Sequence, residues 1–165
     1  MVHLSLITII IIGANIIFSM KGFNDFSFFE KYKFNIGAIK RGEQIRMISS
    51  GFLHADMQHL LFNMFTLYFF ADVVIDYLNP FYFIILYIGS LLVGNLLSYY
   101  FHKNEYHYSA VGASGAVMGV LYSAILLDGF SSAVAFVGVY SPVIEELNKN
   151  RKLMDAINGP RPKKA

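Results

Sequence analysis

Gly112-Ala113-Ser114-Gly115-Ala116-Val117-Met118-Gly119 lies near the start of an uncharged apolar run over residues 108–127. A run of that length is what an α-helix needs to cross a bilayer, roughly 17–25 residues. A serine framed by Gly112 and Gly115 inside such a run is polar, uncrowded and open to a close neighbour. Working outward, residues 81–101 form a second apolar run, preceded by the turn pair Asn79-Pro80. Residues 57–78 form a third, carrying His59 and Asn63 near its start and Asp72 and Asp76 near its end. Residues 4–20 form a fourth, without a charge.

Composition agrees with this pattern. Of 165 residues, 56% are hydrophobic and 15% charged, against roughly 25% charged in an ordinary soluble domain, and mean hydropathy is +0.51. The expected fold is an all-α integral membrane protein, a polytopic bundle with four transmembrane helices, and one compact domain over residues 1–128. Residues 4–20 lack a basic leader and a small-x-small cleavage site, so they read as a retained span. The connector 21–56 interleaves aromatics with charges, a mixture suited to the membrane–water boundary, so part of it is expected in the interface. Residues 131–144 are apolar but short and broken by Pro142; a short fifth span, a re-entrant segment and an interfacial helix are the three readings. A basic polar tail follows to residue 165. The connector and the tail carry six Lys/Arg each, so four spans leave the positive-inside rule undecided. No cysteine is present, and a net charge of +2 gives no reason to expect nucleic acid.

Three polar residues in apolar runs invite a chemical reading. Amide hydrolysis needs a nucleophile, a base and donors for the oxyanion. Ser114, beside Gly112, Ala113 and Gly115, supplies the first. A serine at a helix N-terminus also has free N–H groups nearby. The competing reading is helix packing, because Gly115 and Gly119 form a small-x-x-x-small pair. His59 and Asn63, four residues apart, share a helix face. They are either a base with its orienting amide, two oxyanion donors, or partners in an interhelical hydrogen bond. His54, Asp56 and His59 do not have metal-site spacing, so no metal is expected. Asn95 reads as a packing or polar-contact residue, and Asp72 and Asp76 as carboxylates that can reach headgroups and water.

With these residues in place, the chain resembles the rhomboid family of intramembrane serine proteases over about residues 1–128. GASGAVMG is similar to the family's G-x-S-G signature, and His59-Leu60-Leu61-Phe62-Asn63 to its H-x-x-x-N signature. His54 and Arg46 also fit. The resemblance implies that Ser114 is the nucleophile, that His59 and Asn63 are oxyanion donors together with the Ser114 N–H, and that Arg46 braces the connector. It implies a helical bundle around a water-filled cavity, transmembrane segments of other proteins as substrates, and no cofactor.

Two departures matter. Ile45 stands where the family often has Trp. No histidine follows Ser114, whereas the family's general base is a histidine on its last span. His107, in the connector before Ser114, is the remaining candidate base, with His59 as the other. The expectation is therefore a rhomboid-type endopeptidase site that is weakly active or inactive in this chain alone, or else a non-catalytic relative that binds transmembrane clients. The site residues face an open side of a four-span core, and dimerisation is one way of covering it.

Overall fold

The computed structural model describes residues 4–129 together with Lys149. The 131–144 segment and the rest of the tail lie outside the described residues. Helix α1 covers Leu6–Asn24 and starts at Ser5, whose hydroxyl accepts from the Thr8 N–H at 3.2 Å. It runs four residues past the apolar segment, so Lys21 falls in its last turn, where a cation offsets the negative end of the helix dipole. The connector that follows is folded. It holds α2 (Phe26–Tyr32), a two-residue strand β1 (Phe34–Asn35), α3 (Ile36–Lys40), α4 (Arg46–Ser49) and a 3-10 turn at Ser50–Phe52. Asp25 and Asn35 cap α2 and α3 through their side chains.

Helix α5 spans Met57–His102, 46 residues, but is broken at Asn79, where φ is 63° and ψ 165°. The break reverses the chain. Asn95 donates to the Met47 carbonyl at 2.7 Å, on the connector just before α5 begins. A straight helix would carry residue 95 about 57 Å from residue 57 at 1.5 Å per residue. The two arms, 57–78 and 80–102, therefore form a hairpin. Asn79 makes the turn and caps the second arm, its Oδ1 accepting from the Phe81 and Tyr82 N–H groups at 3.0 and 3.3 Å. Pro80 follows in the first turn, where a missing N–H costs nothing. Replacing Asn79 with alanine loses the cap and puts a plain side chain at positive φ. The expected loss is about 2 kcal/mol, readable as an earlier unfolding midpoint in a denaturing-detergent titration. An unchanged midpoint would contradict this account of the turn.

Helix α6 (Ser114–Asp128) descends beside the hairpin. It begins near His59 and ends near Tyr77, whose hydroxyl lies 3.5 Å from Asp128. It therefore runs parallel to the first arm of α5 and antiparallel to the second. The common core takes Leu60, Leu67 and Val74 from the first arm, Phe83, Tyr87 and Leu91 from the second, and Val117, Val120 and Ala124 from α6, with Ile7 and Ile11 of α1 packed on it. The small residues set the α5–α6 distance. A Cβ on Gly119 would collide with Ser90, and the Gly94 Cα lies 3.8 Å from where a Gly115 Cβ would stand. Such close approach is how helices associate in lipid, where apolar burial offers little net gain. The outward faces stay apolar, as with Ile17, Phe81, Phe101 and the 84%-exposed Leu126. Two helices, α1 and α5, are long and apolar enough to cross a membrane; α6 is apolar but has 15 residues.

The described residues are mostly helical, with one short exception: Phe34 and Asn35 pair antiparallel with Ala110 and Ser109 of strand β2. Two expectations need correction. Because of this ladder the last apolar run does not become helical at residue 108. Residues 109–110 are held in the ladder, and α6 starts only at Ser114. Asp72 does not reach for headgroups. It accepts from the Ser5 N–H at 2.9 Å and the Thr8 hydroxyl at 2.6 Å, so it satisfies the otherwise open N-terminus of α1.

Candidate active site

Ser114 is the first residue of α6, and Ala113 before it supplies no side-chain cap. The first-turn N–H groups are thus left to other partners, at the positive end of the helix dipole. The Ser114 side chain is exposed and makes no hydrogen bond to any described residue. Gly112, two residues earlier, has φ +127°, and its N–H donates to the Ser50 carbonyl at 3.0 Å. Its bare Cα is pressed against His59. A Cβ there would stand 2.6 Å from His59 Cε1 and 2.9 Å from Nε2. Any larger side chain would require the His59 ring to shift, and the same position needs the backbone freedom of glycine. The signature glycine therefore joins the serine segment to the histidine, residues that are 53 positions apart in sequence (112 − 59).

Asn63 lies one turn below His59 and is 3% exposed. Its amide nitrogen is buried without a hydrogen-bond partner among the described residues. Leaving such a donor unpaired costs about 1–3 kcal/mol. The reading of His59 and Asn63 as an interhelical hydrogen bond is therefore not what the described residues show. The packing reading of Gly115 and Gly119 does hold, and it coexists with Ser114: the same small residues that seat α6 on α5 leave the serine uncrowded.

His54 is fully buried behind His59, the rings 5.0 Å apart and nearly perpendicular. Ser19 of α1 donates to the Phe52 carbonyl at 3.0 Å. Its oxygen must then accept from His54 Nδ1–H, at 2.8 Å. That fixes the His54 tautomer and leaves Nε2 a bare acceptor, unpartnered among the described residues. Burial first, then the neighbouring His59, push His54 down to about 4, with Asp56 opposing. The folded chain thus takes up this proton only well below the ~6.5 of an unfolded histidine. Stability should fall as pH drops from ~6.5 to about 4 and level off below, since only the unfolded state binds the proton in that window. His54→Asn should remove this part of the acid dependence of unfolding; an identical slope in both would contradict it.

Arg46 is buried and tied on three sides. Nη1 donates to the Glu30 and Lys33 carbonyls at 2.8 and 2.9 Å, and Nε to Glu43 at 2.8 Å. It closes the end of α2 against α4. His107 is exposed in the turn before β2, and its carbonyl accepts from Ser109. Neither His107 nor His59 bonds the Ser114 hydroxyl. Among the described residues no three His, Asp or Glu side chains gather in a metal-holding group. Three supports were not evident as site residues: Ser19, Ser50 and Asn95. Asn95 bonds Ser50 Oγ at 3.2 Å as well as Met47, and so steadies the turn that holds Gly112. Its polarity in an apolar run was the available signal. Ser19 and Ser50 gave none.

The rhomboid domain model matches residues 41–145, more than half the chain and including Arg46, His54, His59, Asn63 and Ser114. The chain belongs to the rhomboid family. It is also similar to a protein of Bacillus subtilis (strain 168) described as "Putative rhomboid protease YdcA", 37% identical over 87 residues. That match covers 53% of this chain and 42% of the relative. The chain thus spans less than half the length of the curated relative it matches. Rhomboid membership makes this a membrane protein, in keeping with the apolar outer faces of its helices.

Proposed function

We propose that this chain carries the nucleophile and oxyanion elements of a rhomboid-type intramembrane serine endopeptidase. On this reading it is a multi-pass protein whose four spans are α1, the two arms of α5, and α6. The observation that carries the proposal is a buried Asn63 amide, unpartnered among the described residues and one helical turn from His59, whose ring meets Gly112 just before the uncapped start of α6. A buried donor kept unpaired is costly in the resting state and useful when a negative oxygen arrives. Ser114 would attack the carbonyl of a transmembrane segment. Asn63 Nδ2, a ring N–H of His59 and the Ser114 N–H would stabilise the oxyanion, each donor worth about 10²–10³ in rate.

The attack must release the serine proton. A hydroxyl without a base is a poor nucleophile. The Ser114 hydroxyl, unbonded among the described residues, supports a site to which those residues alone bring no base. That same observation favours the second reading, a relative that holds transmembrane clients without cutting them. Co-reconstitution with a labelled transmembrane peptide tests the pair. Association without cleavage is expected. Ser114-dependent cleavage would overturn the missing-base account, and no association would overturn both readings.

A further inference from the structure

The charges of the described bundle are segregated by end. All seven Lys and Arg within residues 4–129 sit at the end that carries Ser114: Lys21 closes α1, five lie on the connector and Lys103 closes α5. The opposite end presents Asp72, Asp76 and Asp128. At the site end every carboxylate is already engaged. Glu30 pairs with Lys33 and Glu43 with Arg46, Glu105 meets His102, and Asp25 and Asp56 cap helices. Five exposed cations form no salt bridge with a described carboxylate: Lys21, Lys31, Lys40, Arg41 and Lys103, of which Lys21 alone feels a nearby carboxylate, the helix-capping Asp25.

Four of these five stand over aromatic rings, at 4.5–5.4 Å from the centroids of Phe28, Tyr32, Tyr106 and Tyr100. Bare apolar side chains stand on the same connector and helix end, with Phe26 77%, Ile45 60% and Phe101 72% exposed. Water alone does not favour that mixture. Rings and aliphatic groups suit the glycerol level of a bilayer, while ammonium and guanidinium groups suit the phosphate level just above.

We infer that the rim around the site end is a binding surface for anionic lipid headgroups, with the five unpaired cations as its contacts. The occupant is a lipid surface because the cations are set among exposed apolar groups on the same end, and it is anionic because the carboxylates there are all used. A cation held near an anionic membrane surface is attracted through a screened potential that a zwitterionic headgroup does not supply. This surface is independent of the hydrolytic reading and stands or falls separately from it.

The test is lipid selectivity of the reconstituted chain, read by electron spin resonance with spin-labelled phosphatidylglycerol against phosphatidylcholine. Both lipids carry a phosphate, so the ratio reports net charge. The expected preference for phosphatidylglycerol is at least about two-fold. It should vanish when Lys21, Lys31, Lys40, Arg41 and Lys103 are all replaced by Gln, with helix content checked by circular dichroism. It should persist when the six tail cations from Lys149 onward are replaced instead. If the rim variant fails to fold, the wild type decides by salt: going from about 0.01 M to about 1 M shortens screening from ~30 Å to ~3 Å and should erase the preference. No preference, one that survives the rim replacement or the salt, or one lost with the tail cations would overturn the inference.

Discussion

Gly112→Ala is expected to destabilise the bundle by about 3 kcal/mol and to displace His59. Two costs combine. Alanine at φ +127° is strained by about 1–3 kcal/mol. Its Cβ would also meet His59 Cε1 at 2.6 Å, an overpacking of about 1–3 kcal/mol. The ring's freedom to move is limited by buried His54, packed edge-on 5.0 Å away and bonded to Ser19. The strain should pass either into the His59 ring or into the Gly112–Ser50 hydrogen bond. Histidine nitrogen spectra would show the first, and faster exchange of the residue 112 amide the second. Neither change, with unfolding as in the wild type, would mean that this glycine does not set the site.

The second large effect is expected at Arg46. Alanine there leaves the Glu30 and Lys33 carbonyls without their donor inside the folded connector. Hydrogen bonds to a charged group contribute about 1.5–3 kcal/mol each. The bond to Glu43 adds little, because that carboxylate is nearly half exposed. A loss of about 3 kcal/mol follows. Its first sign should be protease sensitivity within residues 26–52, with the α5–α6 core intact. Lysine should restore only part, since one ammonium cannot reproduce a planar fork that serves three acceptors. Full recovery with lysine, or no effect of alanine, would place the brace elsewhere.

Much of this was legible in the sequence because it depends on local patterns. Apolar runs located α1, both arms of α5 and α6, and Asn79-Pro80 marked the reversal. His59 and Asn63 declared themselves by being polar in apolar surroundings. What the sequence concealed depends on residues far apart in the chain. Ser109 and Ala110 belong to an apolar run, and only their partners Phe34 and Asn35 reveal that they are extended. Asp72 near a span end looks like a headgroup contact until Ser5 and Thr8, 67 and 64 residues away, take both its oxygens. Lys21 and Asn24 read as connector because charge ended the apolar run, yet the helix continues through them. The Ser19–His54 bond had no sequence signal at all, since a serine in an apolar helix has many ways to satisfy itself.

The central proposal is that Ser114, His59 and Asn63 form a nucleophile–oxyanion site to which the described residues bring no base. The most direct measurement is labelling of the reconstituted chain with a fluorophosphonate probe, with and without added imidazole as an external base, beside Ser114→Ala. The account predicts negligible labelling alone, labelling that rises with imidazole, and none in the alanine variant. Ser114-dependent labelling without imidazole would show that the chain already holds a base. No labelling under either condition would show that the site is not assembled for this chemistry.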